Sequence, residues 1–429
     1  MSEAKLKRDI GPLAVGFLVL NGIIGAGIFG LPGRLLDVAG AFSPWLFIIS
    51  GILIITVVWT FASLASYFSN TGGPVVYVSS VYGPLLGFQT GWLLYVGRVA
   101  AFAANINLLL DYAAYLWDGA SGGLTRNIMI FIIVATLLII NILGIKKAIN
   151  AINILTFLKL VPLLLMMLLG FQYITPADLL PHDLPTFDNA GTIILLIFFA
   201  FTGFESVLAS AGETKNPKKT IPRALIIVFL VITLIYFIIQ LVYVSVAPPN
   251  NGAAPLIELG RSLMGPIGGV IIIFAAIFSI LGNVTGIVIF ASRTTFAMAH
   301  DGSLPIWFGK VHEKYRTPVN SLIFQAAFVF LLAISGTFVY LAVAGALARM
   351  FGYAICILAL PAVRRNADAQ TLKNATKIPF GYLIPLVGLL VCLFAMTQAE
   401  PRNWIYLFGF IAVGSLLYFI NSKLKKRAV

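Results

Sequence analysis

The sequence predicts an all-α polytopic membrane protein with twelve membrane-crossing helices, on three observations. Hydrophobic residues fill 60% of its 429 positions and charged residues only 10%, for a mean hydropathy of +1.00. Many apolar runs reach the ~20 residues that a helix needs to cross a bilayer. The runs are continuous rather than alternating, which excludes a membrane β-barrel. Nothing has the composition of a soluble domain or a long linker, so a single transmembrane domain over 1–429 is expected.

The spans fall near 11–36, 43–68, 84–112, 126–143, 150–172, 191–212, 222–247, 266–298, 319–334, 337–360, 379–397 and 402–421. Loop charge orients them. Lys5, Lys7 and Arg8 lie on one side with Lys146, Lys147, Lys215, Lys218, Lys219, Arg223, Arg293, Lys310, Lys314 and Arg316. Arg364, Arg365, Lys373, Lys377 and the C-terminal Lys423, Lys425, Lys426 and Arg427 join them there. The opposite loops hold Arg126, Arg261 and Arg402, and the one over 173–190 carries Asp178, Asp183 and Asp188. The positive-inside rule then puts both termini in the cytoplasm, with the protein in the cell (inner or plasma) membrane. This distribution accounts for the 28 Lys and Arg against 15 Asp and Glu, a net charge of +13, without invoking nucleic acid. Cys356 and Cys392 lie in apolar runs and form neither a disulfide framework nor a CxxC site. The first segment is too long and too glycine-rich for a cleavable signal peptide.

Glycine interrupts two spans in matching places. Span one reads VLNGIIGAGIFGLPG (Val19 to Gly33), and span six reads FFAFTGFESVLASAG (Phe198 to Gly212), with Gly203 beside the acidic Glu205. Unwound backbone inside the hydrocarbon is tolerated only where it lines a cavity or is buried in protein. Half-helix ends at mid-membrane are how secondary transporters hold polar substrates. The starts of the two broken spans are five helices apart, an odd number, so the second block enters the membrane the opposite way up. Blocks 11–172 and 191–360 then form an inverted repeat with a site between them, and 379–421 supplies accessory helices eleven and twelve.

Several side chains fall at or near these breaks. Gly25-Ala26-Gly27 exposes backbone, and the helix restarting near Ile28 offers N–H groups and a positive dipole end to a carboxylate. Close helix packing through small residues is the competing reading, and the second break favours the site. Glu205 costs about 2.5–3.5 kcal/mol at mid-membrane, so it is expected to be buried as a clamp or proton-sensitive element. Lys159, in span five, either snorkels to the interface or stands as a buried ammonium in place of a sodium ion, able to exchange a proton. Arg98 and Asn105 share a face of span three. Asn105 is a candidate polar contact in the central cavity. Arg98 and Arg349 either pair with Glu205 or bind an anionic group. Phe199 is the candidate gate. His182, His300 and His312 read as loop histidines without metal-ligand spacing, so neither metal nor cofactor is expected. The chain carries no HExxH, GxSxG or P-loop, which argues against an enzyme or an ATP-driven pump.

GIIGAGIFGLPG resembles the first-helix motif of the amino acid–polyamine–organocation (APC) superfamily, near its L-type transporters. FAFTGFESVLASAGETKNPKKTIPRA is similar to the sixth helix and the loop after it. ASRTTFAMAHDGSLPIWFGKVHEKYRTPVNSL resembles the end of the eighth helix and the following loop. The likeness runs from about Leu13 to Arg365. It implies a LeuT-type five-plus-five inverted repeat and sodium-independent amino acid transport by alternating access, as proton symport or exchange. Carried over by position, Ile24, Gly25, Ala26, Gly27 and Ile28 would bind the substrate carboxylate. Phe199 to Gly203, Thr202 included, would take the amino group and side chain. Lys159 matches the lysine that occupies the sodium position, with Thr285 and Gly286 facing it. Ala26 stands where many members carry Ser or Thr, leaving that contact to backbone. Loop 113–125 lacks the cysteine that ties animal L-type transporters to a heavy chain, so no covalent partner is expected. The Gly, Ala, Phe and Thr of the breaks suit a neutral amino acid. Arg98 and Glu205 keep an acidic or polyamine-type substrate open, and a non-transporting amino acid sensor is the alternative of another class.

Overall fold

The computed structural model describes residues 8–69, 72–143, 145–179, 190–249 and 254–428; His182, Asp183 and Asp188 lie outside them. Among these residues the structure is helical, and the strand-like pairing is an isolated bridge between Ile10 and Thr214. The helices are α1 (Pro12–Ile23), α2 (Gly27–Gly30), α3 (Pro32–Ala39), α4 (Ser43–Tyr67), α5 (Pro74–Tyr82), α6 (Pro84–Ala113), α7 (Gly123–Leu143) and α8 (Ile145–Gly170). They continue as α9 (Ala190–Phe201), a 3-10 segment (Phe204–Glu213), α10 (Pro217–Val246), α11 (Pro255–His300), α12 (Val319–Ser335) and α13 (Phe338–Asn366). α14 (Ala369–Asn374), α15 (Leu383–Thr397) and α16 (Pro401–Ala428) complete the set. Proline opens α1, α3, α6, α10 and α11, where its missing N–H has no helical partner to lose.

Among the described residues ten helical runs are long and apolar enough to cross a bilayer, and α12 and α15 are shorter apolar helices. Together they fall on the twelve expected spans, and the chain is a polytopic all-α membrane protein. Several boundaries differ from expectation. The first span is three pieces rather than one helix with a soft middle. α10 starts at Pro217, ahead of the expected 222, and α11 begins at Pro255 and bends at Gly265, whose φ of 68° precedes Pro266. α5 and α14 were not anticipated. His300 closes α11 rather than lying in a loop.

The bundle is organised around α6, in which every residue from Gly87 to Leu110 is buried. α4 packs along α10, α6 along α11, α7 against α12, α6 along α13 and α8 along α11. Exchanging the first five spans for the second five sends the first three pairings onto themselves and the fourth onto the fifth. That is the pattern two inverted five-helix units generate. α15 lies against α4 and α13, and α16 against α6 and α13, outside this exchange.

Candidate functional site

The first break is Ile24–Ala26, between α1 and α2, and the second is Thr202–Gly203, between α9 and the 3-10 segment. The second is shorter than expected, because Phe199 to Phe201 still belong to α9. The two meet backbone to backbone. A Cβ on Gly22 would come within 2.7 Å of the Gly203 carbonyl oxygen, and a Cβ on Gly203 would collide with the Gly22 carbonyl. Gly203 also sits at φ 108°, a left-handed conformation that disfavours any side chain. Gly27 lies against Ala200 in the same way, with a Cβ there 2.7 Å from the Ala200 Cα. Glycine is thus required where the halves touch. Tyr236 of α10 joins them, its hydroxyl 3.4 Å from the Ile23 carbonyl and 3.2 Å from that of Ala200.

The polar groups at the first break are sorted by sign. Its carbonyls already accept from the protein. Asn283 Nδ2 donates to Asn21 and Gly22 (2.7 and 2.9 Å), Lys159 Nζ to Ile24 (2.6 Å) and Ser279 Oγ to Gly25 (3.3 Å). The N–H groups of Gly25, Ala26, Gly27 and Ile28 have no backbone acceptor, since helical bonding stops at Ile24 and resumes at Phe29. Free donors beside satisfied acceptors suit an anion rather than a cation.

Lys159 is fully buried and donates also to Asn21 Oδ1 at 2.9 Å, so it does not snorkel. Its ammonium caps the C-terminal, negative end of α1, where a bound cation would be stabilised. Asn21 Nδ2 then donates to the Gly282 carbonyl at 3.0 Å, and Thr156 Oγ1 lies 3.4 Å from Asn21 Oδ1. Thr285, expected at this ion-type site, instead donates to Leu281 of its own helix at 2.6 Å. The face of α11 turned to α1 is Ser279, Gly282, Asn283 and Gly286, and Thr285 is rotated off it.

Beneath the second break, Glu205 is fully buried. Its Oε2 accepts from the Gly203 N–H (3.0 Å) and the Tyr353 hydroxyl (2.7 Å). Its Oε1 lies 3.6 Å from Arg98 Nε and 3.7 Å from Arg349 Nε. Both arginines therefore serve Glu205, and Arg349 also donates to the Thr202 hydroxyl.

A cavity lies between the breaks. Gly25, Ala26, Gly27, Thr202, Gly203, Asn105, Phe199 and Arg349 line it, while Ile24, Ile28, Lys159, Glu205 and Thr285 do not. Ile24 contributes its carbonyl to Lys159, and the Ile28 side chain is packed in the core. Phe199 meets Phe338 edge to face, centroids 5.8 Å apart, and Phe338 in turn covers Gly30. Asn21, Asn283, Tyr236 and Tyr353 were missed by sequence reasoning. The one sequence signal for Asn283 is the stripe of small and polar residues at 279, 282, 283 and 286, spaced for one helix face.

A model of the amino acid permease family matches residues 10–420. The chain belongs to that family. Within the APC superfamily, this permease is 27% identical to the branched-chain amino acid permease BcaP of Bacillus subtilis, over 98% of this chain and 94% of the relative. It is 30% identical to the serine/threonine exchanger SteT of the same organism, over 90% of this chain and 89% of that one. The methylthioribose transporter of B. subtilis is 27% identical over 97% and 94%. The family is one of transporters rather than enzymes.

Proposed function

We propose that this permease is a sodium-independent secondary transporter of neutral amino acids, working by alternating access as a proton symporter or an exchanger. One observation carries the reading. At the first break the carbonyls are consumed by protein donors while four successive N–H groups stay free, and Lys159 places a cationic group at the end of α1. The carboxylate of an amino acid fits the first feature, and independence from sodium follows from the second.

The symmetric helix pairings support a division into repeats 11–172 and 191–360, with 379–421 accessory, and the loop charges support cytoplasmic termini in the cell membrane. Branched-chain residues, serine and threonine, named for two relatives, are neutral. Arg349 on the cavity wall favours an acidic amino acid as the second reading. Labelled amino acid flux into sodium-free proteoliposomes tests the proposal, with leucine, valine, serine, threonine and glutamate compared. Saturable neutral flux is expected. Binding without flux would make the protein a sensor instead, and flux of glutamate alone would favour the second reading.

A further inference from the structure

Asn105 is 2% exposed, lines the cavity and leaves one polar atom, Oδ1, without a hydrogen-bond partner. The orientation of this amide is set from a distance. Asn283 Nδ2 donates to two backbone carbonyls of α1, those of Asn21 and Gly22. Carbonyls only accept, so the Asn283 amide has one workable orientation, with Oδ1 turned away from α1. There it meets Asn105 at 2.8 Å, and Asn105 must present its own Nδ2. The Asn105 carbonyl oxygen is thereby committed to the other side as an acceptor. A buried acceptor without a donor carries a desolvation penalty that a ligand donor removes.

We infer that Asn105 Oδ1 receives an N–H of the substrate α-ammonium, making Asn105 a residue that selects amino acids over plain carboxylic acids. The inference rests on the proposed amino acid transport. Three carbonyls near the cavity are already engaged, those of Ile24 and Gly25 by Lys159 and Ser279 and that of Phe199 by the hydroxyl of Thr202. The carboxylate is drawn to the free N–H groups of Gly25 to Ile28. Gly25 lies against the Asn283 amide, where an added Cβ would be 2.9 Å from Cγ, and Asn283 in turn holds Asn105, so one side chain links the donor-rich segment to the acceptor. A zwitterion, with opposite charges on one carbon, matches that pairing. Asn283 acts as the positioning residue that holds Asn105 in this orientation.

The test is a binding comparison on purified full-length protein, using L-leucine with 4-methylpentanoate and L-threonine with 3-hydroxybutyrate. Each pair differs by the amino group. The native protein is expected to bind the amino acid about 10-fold or more tightly than its desamino partner. Asn105→Leu should erase most of that preference by weakening the amino acid alone. Asn105→Gln, which keeps an amide donor for Asn283 Oδ1 together with an amide acceptor, should retain more of it than Asn105→Leu. Equal weakening of both members of a pair by Asn105→Leu would overturn the assignment and leave Asn105 a structural residue. A preference that survives Asn105→Leu would overturn it while leaving amino acid transport intact. Absence of binding by every amino acid would instead remove the transport reading, and this inference with it.

Discussion

Replacing Gly203 with alanine tests whether the two breaks are pressed together as described. The new Cβ would sit at φ 108° and run into the Gly22 carbonyl, with its carbon at 2.7 Å. The conformational term costs about 1–3 kcal/mol for a non-glycine residue. The contact adds about 1–3 kcal/mol as overpacking, because the obstacle is backbone and has no rotamer to change. The sum, about 2–6 kcal/mol, is large beside the ~5–15 kcal/mol typical of whole proteins. At ~2 °C per kcal/mol, the melting temperature in detergent should fall by about 4–12 °C. Gly16→Ala on α1 is the control, since its Cβ would meet only Val228 Cγ2 at an ordinary 3.7 Å. There the helix propensity of alanine, worth ~1 kcal/mol, should hold or raise the melting temperature. Gly22→Ala carries the contact without the positive φ and should cost about 1–3 kcal/mol, and the double variant should cost less than the sum, because one displacement relieves both contacts. Gly203→Ala melting with the parent would refute the packing of break on break.

Two further outcomes concern the buried charges. Lys159→Met removes the donor to both Asn21 Oδ1 and the Ile24 carbonyl, each loss worth about 1–3 kcal/mol, and should abolish flux or strip it of its pH dependence in proteoliposomes. Unchanged flux and an unchanged pH profile would end the role given to the ammonium. Glu205→Gln leaves Arg98 and Arg349 without a carboxylate and should lower stability by about 3–5 kcal/mol, whereas Tyr353→Phe removes one bond at about 1–3 kcal/mol. Denaturant or thermal melts that reverse this order would show that Glu205 does not hold the site together.

Much of this architecture was legible in the sequence because the governing physics is local. Apolar runs of bilayer length have one stable solution, the helix, since lipid offers no hydrogen bonds. The glycines at 22, 25, 27 and 203 were visible as breaks because close approach of two backbones leaves no room for a Cβ. Lys159 and Glu205 stood out because charge at mid-membrane must be held by something. Arg98 and Arg349 were legible as candidate partners of Glu205, but the other groups that hold these charges were not. Asn21, Asn283 and Tyr353 are ordinary polar residues within apolar helices, and their partners lie between 135 and 262 positions away in the chain. Whether Thr285 or Asn283 faces α1 depends on the rotation of α11, where two positions turn the helix by roughly 200°. That rotation is set by packing against α6 and α8. The bend at Gly265 and the short α5 escaped for a related reason: each is decided by neighbours rather than by its own composition.

Substrate protection at both breaks addresses the central claim most directly. Ala26→Cys and Ser206→Cys would each place a single thiol on the cavity wall, one from each half, in a protein whose buried Cys356 and Cys392 are replaced by alanine. Labelling by a small membrane-permeant maleimide is then followed with and without a transported amino acid. The account predicts that one amino acid slows labelling at both positions with the same concentration dependence, while Ser415→Cys on α16 is unaffected. Protection at neither position, or at only one half, would contradict a single site shared by the two broken helices.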